Sequence, residues 1–215
     1  MKSSNITAKQ LRLYAVTDRR WLQGRSLAKV VEEALQGGAT CLQLREKGRG
    51  STELLDEARQ LKDICRSYKV PFLIDDDLEL ALACEADGLH IGQKDMPAAQ
   101  ARKLLGPDKI LGVSAQTVRQ AQAAERDGAD YLGVGAVFPT GTKNDAHPVA
   151  LGTLQSITAA VNLPAVAIGG ITAENLPHLG QSGIAGVAVV SALFAQPDIK
   201  KAAAKLRQQT ENLFS

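Results

Sequence analysis

The sequence predicts a single α/β domain of the (β/α)8, or TIM-barrel, type. Eight short apolar runs alternate with amphipathic helical patterns over 215 residues, and glycine-rich punctuation separates helix from run. In order, the runs are LRLYAVTD (11–18), CLQLR (41–45), VPFLID (70–75), GLHIG (88–92), KILGVSA (109–115), DYLGVGAVF (130–138), LPAVAIGG (163–170) and GVAVVSALF (186–194). Such nearly unbroken apolar runs suit parallel strands covered on both faces. Residues 1–10 form a polar N-terminal extension ahead of the first run. SLAKVVEEALQGG after the first run, TELLDEARQLKDICRSYK after the second and TVRQAQAAERDG after the fifth repeat apolar residues at three- and four-residue spacing. A helical pattern is expected after each strand. Gly37-Gly38-Ala39, Ala86-Asp87-Gly88, Gly128-Ala129-Asp130 and Gly183-Ile184-Ala185-Gly186 stand just before runs two, four, six and eight. Glycine there ends the helix and releases the chain into the next strand. Strict β-α alternation leaves an open doubly wound sheet or a closed barrel. Eight units, no sign of a strand-order break and no GxGxxG after a strand favour the barrel. No linker-like segment divides the chain, so one domain spans 1–215.

Composition narrows the function classes. A formal charge of +2 argues against nucleic acid or a membrane surface as partner, so any positive patch must be local. No apolar run approaches the roughly 18 residues of a membrane helix, and Met1 to Gln10 lack the apolar stretch of a signal peptide. Cys41, Cys65 and Cys84 stand far apart and odd in number, which fits thiols kept reduced in the cytoplasm. The partners expected are small molecules. Nothing in the sequence decides between a monomer and a homo-oligomer.

In a barrel of this type the chemistry sits at the C-terminal ends of the strands. The second run ends Gln43-Leu44-Arg45-Glu46-Lys47, and period-two alternation puts Gln43, Arg45 and Lys47 on one side, Leu44 and Glu46 on the other. Two cations and an amide on an inward row meet either an anionic ligand or a neighbouring carboxylate in a structural ion pair. The third run ends Ile74-Asp75-Asp76-Asp77, and Asp95 follows the fourth in HIGQKD. Two carboxylates, diphosphate oxygens and water are how Mg²⁺ is commonly held; the alternative is that an Asp here caps the next helix, a role that suits Asp77 best. The loop after the sixth run, Pro139 to His147, carries Thr140, Gly141, Thr142 and Lys143, which either wrap a phosphate or make a surface turn. Gly169-Gly170 end the seventh run and Val190-Ser191 lie within the eighth, and the loops after these two strands are where such barrels recurrently bind phosphate. Ser114 adds a hydroxyl at the end of the fifth. His90, His147 and His178 have no zinc-like spacing, and His90 reads as a hydrogen-bonded core residue. No Ser/His/Asp arrangement is legible. Two anion sites and an Mg²⁺ site without a nucleophile suit ionisation of a diphosphate ester.

QLREK at 43–47, the IxDD segment with HIGQKD, PTxTK at 139–143, and AIGGI followed twenty residues later by Val-Ser occur together and in order. In these motifs, and along nearly its whole length from LYAVTD to VVSALF, the chain resembles the thiamine-phosphate synthase family. That resemblance implies an Mg²⁺-dependent transferase joining the diphosphate of hydroxymethylpyrimidine to a carboxylated thiazole phosphate. It implies that Gln43, Leu44, Arg45, Glu46, Lys47, Asp75, Ser114 and Lys143 hold the pyrimidine diphosphate. Asp76 and Asp95 would hold Mg²⁺, and Thr140, Gly141, Thr142, Gly170, Val190 and Ser191 the thiazole phosphate. Arg45, Lys47, Lys143 and Ser114 would be the catalytic groups, stabilising departing pyrophosphate while the thiazole nitrogen attacks a cation-like methylene.

One position departs from the family. Position 75 is usually Asn there and is Asp here, so its charge must be offset either by a proton or by Mg²⁺. Three rival readings exist: a thiazole tautomerase paralogue, a non-catalytic phosphometabolite-binding barrel and a sugar-phosphate epimerase. The first does not need the full set Lys47, Asp76, Asp95 and Lys143. The second would bind without releasing pyrophosphate. The third lacks a paired acid and base here.

Overall fold

All eight apolar runs form strands in the computed structural model, which describes residues 5–141 and 148–214. They are β1 (Leu13–Val16), β2 (Cys41–Leu44), β3 (Phe72–Asp75), β4 (Gly88–Ile91), β5 (Ile110–Ala115), β6 (Tyr131–Gly135), β7 (Ala165–Ile168) and β8 (Gly186–Val189). Each pairs in parallel with the next, and β8 closes on β1 through Leu13↔Val187, Tyr14↔Ala188 and Ala15↔Val189. Closure removes both sheet edges.

Alternation along each strand divides the core into two layers. Outward residues such as Leu42, Leu44, Phe72, Ile74, Leu132 and Val134 pack under the helices. Inward residues, among them Tyr14, Val16, Cys41, Leu73, Ile110, Tyr131 and Val166, fill the barrel. Small residues inside make room for large ones. A Cβ on Gly112 would lie 2.2 Å from Tyr131 Cζ, so glycine is what lets that ring cross the interior.

The helices α1 (Leu27–Gln36), α2 (Ser51–Ser67), α3 (Leu78–Ala83), α4 (Ala98–Leu105), α5 (Val118–Arg126) and α6 (Leu151–Ala159) follow the first six strands. Ser26, Asp77 and Thr117 cap α1, α3 and α5, each side chain accepting a backbone N–H one turn on. Two expectations need correction. After β7 there is only a 3-10 turn, Leu176–Leu179, where Pro177 has no N–H and Gly180 follows at once. The end of the eighth run is not strand: Ser191–Phe194 form α7, followed by α8 (Ile199–Leu213). A short apolar run does not distinguish a buried helix from a strand, and Leu193 and Phe194 are buried in either case.

Residues 5–10 seal the bottom of the barrel. Ile6 and Leu11 pack against the inward layer, while Asn5 donates its backbone N–H to Asp130 at 3.1 Å and its side-chain amide to Pro107 O at 2.8 Å. Asp130, 2% exposed, also accepts from Arg102 at 2.5 Å and from the Leu111 N–H at 2.8 Å. Asp130→Ala would take the counter-ion from Arg102, whose guanidinium keeps only its bonds to the Gly106, Lys109 and Gly128 carbonyls, and would strand two backbone donors. We expect a loss of about 3 kcal/mol, measured by urea unfolding, with kcat of the remaining folded protein unchanged. A loss below about 0.5 kcal/mol, the range of ordinary surface changes, would show that the network is not structural.

Candidate active site

The C-terminal ends of the strands open into a cavity of about 790 Å³. Gln43, Arg45 and Lys47 line it from β2 and its loop, whereas Leu44 and Glu46 do not. Leu44 is buried in the layer beneath the helices. Glu46 lies against Arg19, with Oε1 2.7 Å from its Nε, and Arg19 also pairs with Glu57. Alternation thus holds past the end of the strand. The side chains of Leu44 and Glu46, which the resemblance counts among the residues holding the pyrimidine diphosphate, point to the opposite face.

The cations of the inward row meet carboxylates at the rim. Asp75 Oδ2 lies 3.5 Å from Arg45 Nε and 3.7 Å from Lys47 Nζ, and Lys47 also pairs with Asp76. Burial works against the Lys47 ammonium. Its hydrogen bond to Asp76 and the charges of Asp75 and Asp76 outweigh that penalty and hold its pKa above the ordinary lysine value. The structural-pair reading and the anionic-ligand reading therefore coincide, because the pairs form on the cavity wall. For Asp75 the structure supplies an offset besides a proton or Mg²⁺, since it is the neighbouring carboxylate that the inward row of cations allowed for. Two cations face it.

Asp76 and Asp95 both line this cavity. Asp76 closes β3 in a left-handed conformation, φ 54°, which costs a non-glycine residue energy and is least unfavourable for Asp and Asn. Its N–H donates to His90 O at 2.8 Å, which holds the turn in place. Asp95 Oδ2 accepts the Gly92 N–H at 2.7 Å. Asp77 is the helix cap, accepting Leu80 N–H at 2.9 Å and the Ser51 hydroxyl at 2.7 Å. Among the described residues no group of three or more His, Cys, Asp or Glu is arranged to hold a metal. Two hard carboxylates still fit Mg²⁺, which completes its shell with water and substrate phosphate.

On the far side, Thr140, Gly170, Val190 and Ser191 line the cavity, and Gly141 is exposed beyond it. Gly170 has φ 63°, and a Cβ there would lie 2.3 Å from Pro139 O, so glycine permits the β6 and β7 loops to meet. Thr142, Lys143 and His147 lie outside the described residues. Ser114 lines the cavity from β5 and hydrogen-bonds His90 Nε2 at 2.9 Å.

Sequence reasoning missed Arg20, Gln93 and Gln116 on the cavity wall. Arg20 follows β1 in TDRR, at the functional end of a strand, which was the available signal. Asp18 holds it by hydrogen bonds of 2.6 to 3.1 Å. Gln93 donates to Ser114 O at 2.6 Å and Gln116 to Gly135 O at 3.2 Å.

A closed parallel barrel with cations and carboxylates around one mouth defines the class: a (β/α)8 barrel suited to small anionic molecules. The family model described as thiamine monophosphate synthase matches residues 13–193, and the chain belongs to that family. It is thereby a transferase of thiamine biosynthesis. Thiamine-phosphate synthase from Clostridium tetani is 52% identical over 90% of this chain and 93% of its own. The protein of the same name from Ruminiclostridium cellulolyticum is 50% identical over 90% and 92%. The solved thiamine phosphate pyrophosphorylase from Pyrococcus furiosus superposes with a TM-score of 0.90 at 38% identity, over 97% of this chain and 99% of that one. These comparisons lend no support to the tautomerase or non-catalytic readings.

Proposed function

We propose that this chain, as one cytoplasmic (β/α)8 domain, condenses hydroxymethylpyrimidine diphosphate with a carboxylated thiazole phosphate. The products are thiamine phosphate and pyrophosphate, with the carboxyl lost as CO2. The observation that carries this reading is the convergence of Arg45 and Lys47 on the same cavity as Asp76 and Asp95. No helix among the described residues is long and apolar enough to cross a membrane, and Cys41, Cys65 and Cys84 are buried free thiols, in keeping with that location.

In this reading the pyrimidine diphosphate lies between Gln43 and the rim cations, and the thiazole phosphate against Thr140 to Thr142, Gly170, Val190 and Ser191. Asp76 and Asp95 hold Mg²⁺, which supplies neutralising charge to the diphosphate. Arg45, Lys47 and Lys143 bind diphosphate oxygens, and Ser114 donates a hydrogen bond to the same group. As the methylene C–O bond breaks, negative charge grows on the leaving pyrophosphate, where fixed cations in a partly dry cavity stabilise it best. The thiazole nitrogen then forms the new C–N bond. No nucleophile from the protein is required. Incubating the protein with both substrates and Mg²⁺ should yield thiamine phosphate and pyrophosphate in equal amounts. Binding of both substrates without pyrophosphate release would overturn the proposal.

Asp75 supplies a finer test. Its carboxylate competes with diphosphate oxygens for Arg45 and Lys47. Asp75→Asn removes this competitor from Arg45 and Lys47, leaves Lys47 paired with Asp76, and removes one negative charge from the wall. We expect kcat to be retained and KM for the pyrimidine diphosphate to fall by about threefold, the scale of a partly exposed ion pair. Steady-state kinetics at fixed ionic strength measure this. An inactive but folded variant would mean that the carboxylate has a role of its own.

A further inference from the structure

Five side chains form one continuous hydrogen-bonded chain across the barrel below the cavity. Gln43 Nε2 donates to Tyr14 Oη at 3.1 Å, the Tyr14 and Tyr131 hydroxyls are 2.9 Å apart, Tyr131 Oη is 2.8 Å from His90 Nδ1, and His90 Nε2 is 2.9 Å from Ser114 Oγ. Gln43, Tyr14 and Tyr131 are 4%, 1% and 0% exposed, yet Gln43 and Ser114 at the two ends, and His90 beside Ser114, line the cavity. We propose that this chain sets the hydrogen-bond polarity of its two ends, so that Gln43 offers the pyrimidine diphosphate an acceptor and Ser114 offers it a donor. Tyr14, Tyr131 and His90 are the positioning residues. The assignment of ligand rests on the function proposed above; the polarity itself does not.

The direction follows from proton counting. The Gln43 amide nitrogen can only donate, so Tyr14 Oη accepts. Tyr14 then passes its single proton to Tyr131, and Tyr131 passes its own to His90 Nδ1. A neutral imidazole accepting at Nδ1 carries its proton on Nε2 and donates it to Ser114 Oγ. The Ser114 proton is left for the cavity. In the opposite direction, with the Gln43 nitrogen kept toward Tyr14, Tyr14 would accept twice, and its own proton would face the Cys41 thiol, a weak acceptor in a dry interior. Burial first, and then the neighbouring phenol for Tyr14 and the Cys41 thiol for Tyr131, push both hydroxyls well above the ordinary tyrosine pKa, so both keep their protons. With its NH2 committed to Tyr14, Gln43 presents its carbonyl oxygen, which matches the exocyclic amino group of an aminopyrimidine. Ser114 presents O–H, which matches a diphosphate oxygen.

Two measurements test this. In ¹⁵N-labelled protein, two-bond N–H correlation should show His90 as the Nε2–H tautomer, its signal identified by loss in His90→Gln; an Nδ1–H tautomer would overturn the proposal. In Tyr131→Phe the Nδ1 acceptor loses its donor, and the tautomer should become mixed. An unchanged His90 signal in that variant would also count against it. In Tyr14→Phe the Gln43 amide loses its acceptor and is free to reverse. The preference in kcat/KM for the 4-amino over a 4-oxo pyrimidine diphosphate should then fall about tenfold, the scale of one misdirected hydrogen bond, while KM for the thiazole phosphate stays constant. Unchanged discrimination in Tyr14→Phe would overturn the acceptor assignment. If wild type forms no thiamine phosphate, the proposed function fails, and the tautomer measurement still decides the polarity.

Discussion

Asp76→Asn and Asp95→Asn are expected to lower thiamine phosphate formation by about 10²-fold or more while the barrel stays folded. The size follows from what each carboxylate does in the proposed site. Loss of one of only two protein ligands weakens Mg²⁺ binding, and metal-borne charge stabilisation contributes several kcal/mol to such a step. Asparagine is the informative replacement at position 76, because it tolerates the φ of 54° that alanine would occupy only under strain. Asp76→Ala would mix a backbone cost of about 1 kcal/mol with the loss of a ligand. At position 95 the amide oxygen can still accept the Gly92 N–H, now bonded at 2.7 Å, so the loop should keep its shape. Raising Mg²⁺ should recover part of the activity of each variant, and EDTA should silence the wild type. Full activity in either variant, or in wild type with EDTA, would remove the metal from the proposed site.

The second large effect is expected at Lys143. In the proposed site Lys143→Ala removes a cation that would stabilise the charge developing on pyrophosphate, so kcat should fall by about 10²-fold, as when one donor to a developing oxyanion is lost. Thr140, three residues earlier in the chain, lines the cavity. KM should change less than kcat, because the interaction strengthens as the bond breaks. The melting temperature should hardly move. A large drop in melting temperature with kcat preserved would identify Lys143 as a structural residue instead.

Asp76, Asp95 and the β2 row were legible because their positions follow from local rules. An apolar run marks a strand, the residues after it stand at the functional end, and period-two alternation separates Gln43, Arg45 and Lys47 from Leu44 and Glu46. Asp77 was legible as a cap for the same reason, since it immediately precedes a helical pattern. What remained hidden depends on which residues meet across the barrel. Tyr14 and Tyr131 are 117 residues apart and in hydrogen-bond contact, and nothing in the neighbourhood of either reports the other. The ion pairs of Asp75 depend on how far two cationic side chains reach from an adjacent strand.

By itself, then, the sequence determined the eight strands, the face on which each side chain lies and the rim on which the chemistry gathers. These are consequences of backbone periodicity, which acts over a few residues. The tertiary structure decided the closure of β8 on β1, the seating of residues 5–10 under the barrel and the helical form of Ser191–Phe194. It also decided the chain of hydrogen bonds that joins Gln43 to Ser114. Packing and hydrogen bonding between distant segments set these features, because buried polar groups must find partners wherever the fold brings them.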